Sequence, residues 1–331
     1  MNEVFMIVSK TPFRMSFVGG GSDIASYYRD EMGAVLSTSI NRYMYICVNP
    51  KFDKRIRLNY SRTEEVDVAS EIEHPLVREA LQFLGIDSGI EISSLADIPS
   101  YGSGLGSSSS YTVGLLHALH AHCQNSPSKF DLASQACEIE IDRCGEPIGK
   151  QDQFAAAMGG LNYIQFNPDD TVDVQPVNCS EQTLNAFQNR TLVFYTGRGR
   201  SASAVLAEQY QNMKAVDSKS LVRRMVELAG QMRDSIEIGH LDEIGPQLDE
   251  NWHLKRQLAA GITDSQINEW YEKGIKAGAS GGKLLGAGNG GFLMFYAPMD
   301  AHEEIKSALS DLRQVDFGFD RDGTNIIFSD A

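Results

Sequence analysis

Pro99-Ser100-Tyr101-Gly102-Ser103-Gly104-Leu105-Gly106-Ser107-Ser108-Ser109-Ser110 constrains this chain more than any other stretch. Glycines at alternate positions let the backbone turn successive N–H groups toward one point. The serines then open an apolar helical pattern from about Tyr111 to Cys123, carried by Val113, Leu115, Leu116 and Leu119. The positive end of that helix faces the same point, so the combination predicts an anion site. Serine hydroxyls at its rim can hydrogen-bond a phosphate or ligate Mg²⁺. A flexible Gly/Ser linker would not run straight into a buried helix. No lysine follows the glycines, so this is not a G-x-x-x-x-G-K-[ST] loop.

At 331 residues the chain is long for one core and comfortable for two. An apolar fraction of 42% and a charged fraction of 22% are those of a globular protein, not a disordered one. The net charge of −15 repels phosphate backbones and speaks against a general nucleic-acid partner. It does not forbid a nucleotide, which meets local amides and cations. The five cysteines, Cys47, Cys123, Cys137, Cys144 and Cys179, are odd in number and contain no C-x-x-C pair. That pattern predicts reduced thiols and a cytoplasmic protein. The apolar run Val4–Val8 is too short for a signal peptide or a membrane span, so no membrane partner is expected. A monomer and a homodimer both stay open.

Periodicity predicts strands at Val4–Val8, within 34–48, at Glu91–Leu95, Leu161–Phe166, Arg190–Tyr195, Gly291–Tyr296 and Asn325–Phe328. It predicts helices over Pro75–Leu84, Asp131–Cys144 and Ala301–Leu312, and an almost wholly helical stretch from Ser201 to Lys276 broken at Gly239 and at Gly245-Pro246. Mixed elements then a helix-rich half predict two domains, 1–187 and 188–331. Gly286-Ala287-Gly288-Asn289-Gly290-Gly291 matches the dinucleotide spacing G-x-G-x-x-G. That motif must open a helix, whereas Phe292–Tyr296 reads as a strand, so a nicotinamide cofactor is not expected.

Three segments together resemble the GHMP kinases, a family that includes galactokinase, homoserine kinase and mevalonate kinase. They are Pro12–Asp23 with its Gly19-Gly20-Gly21 cluster, the stretch Pro99–Ser110, and Lys283–Phe292. They stand in the family's order and span nearly the whole chain. Many relatives read G-L-G-S-S-A-A where this chain has Ser109 and Ser110 in place of the alanines. Within the family, the triple glycine before Ser22-Asp23, the run Gly149-Lys150-Gln151-Asp152-Gln153 and the run 196–202 resemble the branch acting on D-glycero-α-D-manno-heptose 7-phosphate.

The resemblance implies a two-domain α+β fold: an N-terminal domain like the second domain of ribosomal protein S5 and a ferredoxin-like C-terminal domain. It implies MgATP as donor, bound by Gly102, Ser103, Gly104, Leu105, Gly106, Ser107, Ser108 and Ser109. It implies transfer to the anomeric hydroxyl of a heptose 7-phosphate, giving the 1,7-bisphosphate for GDP-heptose and surface polysaccharide synthesis. Alternatives are a galactokinase- or fucokinase-like enzyme acting on an unphosphorylated sugar, and a non-catalytic sugar sensor.

Phosphoryl transfer asks for positioning and charge more than for covalent chemistry. Asp152 heads an alanine-rich helix and, by the resemblance, accepts the hydroxyl proton; as a bare residue it also reads as an N-cap. Arg14 is the expected cation beside it, since a guanidinium can pair a carboxylate and a phosphoryl group together. Glu140 stands out independently. It shares a helical stripe with Ala133, Ala136, Cys137 and Cys144, which places a carboxylate on a core face where it needs a partner. Mg²⁺ held by Glu140 and Ser108 is one partner, and a salt bridge to Arg143 is another. Asp23 matches the family's sugar-contacting aspartate, with Gly20, Gly21 and Ser22 beside it and Gly288 from the third segment. Lys150, Arg198 and Arg200 are the cations for an acceptor phosphate; as bare residues they also read as solvated surface charges.

Overall fold

The computed structural model describes residues 6–98, 102–198, 205, 208, 212 and 216–330. Val4, Phe5, Pro99, Ser100, Tyr101 and all of 199–204, Arg200 among them, lie outside these residues.

Two strands organise the larger sheet. β1 (Ile7–Val18) pairs antiparallel with the 18-residue β2 (Gly33–Pro50). The pairing shifts between Pro12 and Phe13 and again between Ser16 and Val18. Pro12 has no N–H for a regular ladder, so an irregularity there is cheap. β3 (Ile56–Asn59), β4 (Thr63–Val66) and β5 (Ile90–Ala96) extend the sheet beside the second half of β2. β6 (Leu161–Phe166) pairs with its first half, and β7 (Val172–Pro176) pairs with β6. β8 (Thr191–Tyr195), β9 (Gly281–Leu284), β10 (Phe292–Tyr296) and β11 (Arg313–Gln314) form a separate antiparallel sheet in the order β11-β8-β10-β9.

The chain then returns. β12 (Phe319–Asp320) pairs with β2, and β13 (Asn325–Ser329) pairs with β1. The second sheet therefore begins close to the expected cut at 187/188, but the last strands of 188–331 complete the first sheet.

Helices cover these sheets: α1 (Ala25–Tyr28), α2 (Pro75–Leu84), α3 (Ser107–His122), α4 (Lys129–Cys137), α5 (Gln151–Met158), α6 (Glu181–Asn189), α7 (Val216–Glu237), α8 (Ile244–Lys255), α9 (Ser265–Lys276) and α10 (His302–Ala308). Proline opens α2 and Gly85, in the left-handed region at φ 68°, closes it. Ser128 and Asp131 form a capping box at the start of α4. The helix expected over 131–144 is instead α4 followed by a π-helical turn, Glu138–Arg143. The expected break at Gly245-Pro246 is absent. Pro246 lies in the first turn of α8, where an N–H would have no intrahelical acceptor anyway. α3 packs on β1, β2 and α5, while α8 packs on β9 and reaches β1. The mouth of α3, the end of β1, the start of α5 and the end of α8 thus converge.

Candidate active site

The glycine–serine loop is shaped for close approach. Gly102, Gly104 and Gly106 have φ of 65°, 75° and 73°, a conformation that side chains resist. Gly106 is the N-cap of α3 and has no side chain to spend on the first-turn amides. The loop rests on the β9–β10 hairpin: a Cβ on Gly104 would lie 2.4 Å from the Leu285 carbonyl oxygen, and one on Gly286 would lie 2.3 Å from the Gly104 Cα. The Gly286–Gly291 run is thus a cradle for the loop, joining two strands of one hairpin, not the start of a helix. Leu105, Ser103 and Ser109 are buried beneath it.

Arg14, on β1, grips Asp152 at the start of α5. Its Nε and Nη2 donate to Oδ1 and Oδ2, both at 2.7 Å, and Nη1 donates to the Gly104 carbonyl at 2.7 Å. One guanidinium therefore ties the carboxylate to the loop in a bidentate, geometrically fixed pair. Gly106 permits this, because a Cβ there would stand 3.1 Å from Arg14 Cγ and 3.2 Å from Asp152 Oδ2. Arg14 is buried, and the Asp152 side chain keeps 23% of its surface, enough for a ligand to reach it.

Glu140 lies behind the loop with no exposed surface. Ser108 donates to Oε1 at 2.7 Å and Gln153 to Oε2 at 2.6 Å. Burial raises its carboxyl from 4.5 to about 7, against the pull of hydrogen bonds from Ser108, Ser109 and Gln153. Arg143 is not its partner; it pairs with Glu138 on the surface. A buried carboxylate without a cation, a hydroxyl in contact with it and the buried, unpartnered Oε1 of Gln153 make an oxygen-donor set that suits Mg²⁺. The π-helical turn sets the direction from which Glu140 enters, a feature often found at functional sites.

Asp23 closes the other side. The Gly21 and Gln151 amides donate to its two oxygens at 3.0 and 3.3 Å. Burial first, and the nearby Asp152 second, raise its pKa. Gly149 makes room for it: a Cβ at that position would lie 1.9 Å from Asp23 Oδ2. On the acceptor-contacting role that the resemblance implies for Asp23, Gly149→Ala should displace its carboxylate and raise the acceptor KM by roughly 10-fold, with ATP KM unchanged. Initial rates with each substrate varied in turn check this.

Residues 75–160 match the family GHMP kinases N terminal domain, and residues 232–313 match GHMP kinases C terminal, together about half the chain. The chain belongs to the GHMP kinases. It is 29% identical, over 96% of its length and 97% of the relative's, to D-glycero-alpha-D-manno-heptose 7-phosphate kinase of Campylobacter jejuni. It is 26% identical over 92% of its length to the bifunctional fucokinase/GDP-fucose pyrophosphorylase of Arabidopsis thaliana, of which it spans 31%. The crystal structure of a D-glycero-D-manno-heptose 1-phosphate kinase from Bacteriodes thetaiotaomicron superposes with a TM-score of 0.80 at 24% identity, covering 97% of this chain and 99% of that one. The α+β GHMP fold expected from the sequence is thereby established, and the chain is a phosphotransferase with an alcohol acceptor.

Not every expected residue of this GHMP kinase meets at the cleft. Ser22 is fully buried, donating to the Gly19 and Ala34 carbonyls and accepting from the Ala34 amide, so it holds the turn. Gly288 backs onto Ile262, where a Cβ would fall 2.6 Å from its Cα. Lys150 pairs with Asp170 at 3.3 Å, and Arg198 with Asp264 at 2.7 Å. Two lysines overlooked in the sequence are buried near this site. Lys255, at the end of α8, is buried and donates to the Gly286 carbonyl at 2.6 Å. Lys283, on β9, donates to the Ser16 and Phe17 carbonyls at 2.8 and 2.9 Å, fastening the second sheet to the end of β1. Burial lowers both ammonium pKa values, that of Lys255 to about 8.

Proposed function

We propose that this GHMP kinase transfers the terminal phosphoryl group of ATP to the anomeric hydroxyl of a heptose 7-phosphate, giving ADP and the 1,7-bisphosphate for GDP-heptose and surface polysaccharide synthesis. The observation that carries the sugar-kinase reading is the Arg14–Asp152 pair at the mouth of the glycine loop, with Asp23 on its acceptor side. Similarity to the heptose 7-phosphate kinase along nearly the whole chain supports the choice of sugar.

The amides of residues 102–109 and the N-terminal end of α3 hold the donor's phosphates. Asp23 accepts hydrogen bonds from acceptor hydroxyls and brings the reacting oxygen to Asp152. That oxygen attacks the terminal phosphorus as its proton passes to the Asp152 carboxylate. The bond from phosphorus to the β–γ bridging oxygen breaks, and ADP leaves with that oxygen. Arg14 holds Asp152 in place and offers its remaining N–H groups to the phosphoryl oxygens. Mg²⁺, which Glu140 and Ser108 would hold, supplies charge neutralisation among the phosphates.

A second reading, phosphorylation of an unphosphorylated sugar, is favoured by one observation. Lys150 and Arg198, the described candidates for an acceptor phosphate, already pair with Asp170 and Asp264. A coupled ADP-release assay across sugars and sugar phosphates decides between them. Turnover is expected with heptose 7-phosphate, at a kcat/KM at least ~10-fold above that with the unphosphorylated heptose, the least that one phosphate contact supplies. The reverse preference selects the second reading, and nucleotide binding without turnover on any sugar would leave a sensor.

A further inference from the structure

Around Gly20, hydrogen-bonding capacity is left unspent in a buried place. A Cβ on Gly20 would lie 3.9 Å from Lys255 Nζ, 3.9 Å from Ser16 Oγ and 3.8 Å from Gln151 Nε2, so three polar side chains from β1, α5 and α8 surround one bare backbone position. Ser16 is 6% exposed and Lys255 7%. Ser16 Oγ and Gln151 Oε1 are buried with no hydrogen-bond partner among the described residues. Lys255 carries three N–H donors, of which the Gly286 carbonyl takes one. Buried polar atoms are nearly always paired, and an unpaired one costs stability unless a ligand completes it. Two such atoms and a lysine with N–H groups to spare, in one spot next to Asp23 and Asp152, mark the footprint of a polar ligand.

The charge balance says what kind. Arg14 from β1, Asp23 from the turn after it, Asp152 from α5, Lys283 from β9 and Lys255 itself are the charged groups that meet here, and the first three are felt directly at the Lys255 ammonium. Arg14 is locked to Asp152 and Lys283 to the Ser16 and Phe17 carbonyls, which leaves Lys255 and Asp23 as the opposed charges with hydrogen-bonding capacity to spare. Neutral hydroxyls can accept from Lys255 while donating to Asp23, so a polyol satisfies both groups at once.

We infer that Lys255, with Ser16 and Gln151, forms the subsite that binds the acceptor's hydroxyl groups, making Lys255 a specificity residue for the polyol part of the substrate, whether or not that substrate is phosphorylated elsewhere. The inference rests on the sugar-kinase reading and deepens it. Lys255 selects oxygen-rich acceptors because an acceptor lacking the matching hydroxyl leaves a buried ammonium short of a partner, a strong penalty in a closed site.

The test compares Lys255→Met and Ser16→Ala with the wild type in the ADP-release assay and in thermal melts with and without acceptor or ADP. Lys255→Met should lower kcat/KM roughly 10- to 100-fold, mainly through acceptor KM, as loss of a charge-assisted hydrogen bond predicts. The loss should be equal for phosphorylated and unphosphorylated acceptors, and ATP KM should hold. Ser16→Ala removes a hydroxyl that has no partner in the free protein. Its Tm without ligand should therefore be no lower, while acceptor KM rises several-fold. In both variants the Tm rise given by acceptor should shrink and that given by ADP should stay. If Lys255→Met does not fold, the Ser16→Ala pattern alone decides. An unchanged acceptor KM, a loss confined to phosphorylated acceptors, or a lowered Tm of ligand-free Ser16→Ala with normal KM would overturn the assignment. Absence of wild-type turnover on any sugar would instead remove the sugar-kinase reading on which it stands.

Discussion

Asp152→Asn should lower turnover by at least ~10²-fold while leaving nucleotide affinity nearly intact. The amide is isosteric, so the start of α5 and the contact with Gly106 are preserved. What changes is the Arg14 pairing and the capacity to take a proton. In the wild type both carboxylate oxygens accept from Arg14 at 2.7 Å. An asparagine can offer only its oxygen, and its NH₂ faces a guanidinium N–H. On the proposed reading the nucleotide's phosphates are held by the amides of residues 102–109 and not by Asp152, so ADP affinity should move little. Single-turnover rates and ADP titrations on the same preparation separate the two effects. Combining the change with Arg14→Met gives a double-mutant cycle in which the losses should fall far short of additive, because the pair acts as a unit. Wild-type turnover in Asp152→Asn would remove this residue from the chemistry.

How far these features were legible from residue order follows from their physical range. Glu140 was readable because a core-face carboxylate violates helical patterning, and the violation is local. Lys255 breaks the same rule on α8, where Ile244, Leu248, Trp252 and Lys255 recur at turn-like spacing and all are buried. The same test applied to that stripe would have found it, although the expected break at Gly245-Pro246 cut Ile244 from the stripe's other members. Ser22 looks polar and available beside Asp23, yet the turn needs its hydroxyl for Gly19 and Ala34. Lys150 and Arg198 meet acidic partners that are 20 and 66 residues away in sequence. The return of β12 and β13 to the first sheet pairs residues some 300 positions apart, as in Ile7 with Ser329, and no local pattern encodes that.

Glu140→Gln should separate stability from activity in opposite directions. A glutamate whose folded pKa is raised from 4.5 to about 7 contributes its full stability below 4.5, where it is protonated folded or unfolded. That contribution is lost as pH rises through about 7, because the unfolded chain gives up the proton first. The difference corresponds to about 3 kcal/mol of destabilisation above neutrality. Glutamine keeps the shape and carries no charge. Its oxygen can accept from Gln153, and its NH₂ can donate to Ser108, whose hydroxyl reverses at little cost. The ligand-free variant should therefore melt several degrees above the wild type at pH 8 and together with it near pH 5. Its turnover should nonetheless fall by at least ~10²-fold, because a neutral amide binds Mg²⁺ poorly, and raising Mg²⁺ should recover part of the loss. A melting temperature that drops at pH 8 would mean that Glu140 is held by a cation within the fold itself. Full turnover at ordinary Mg²⁺ would mean that the metal sits elsewhere. On the expected outcome the buried carboxylate is costly to the empty protein and useful only once the nucleotide's metal arrives, which is the opposition between stability and function that an unpaired charge at a phosphate site should produce.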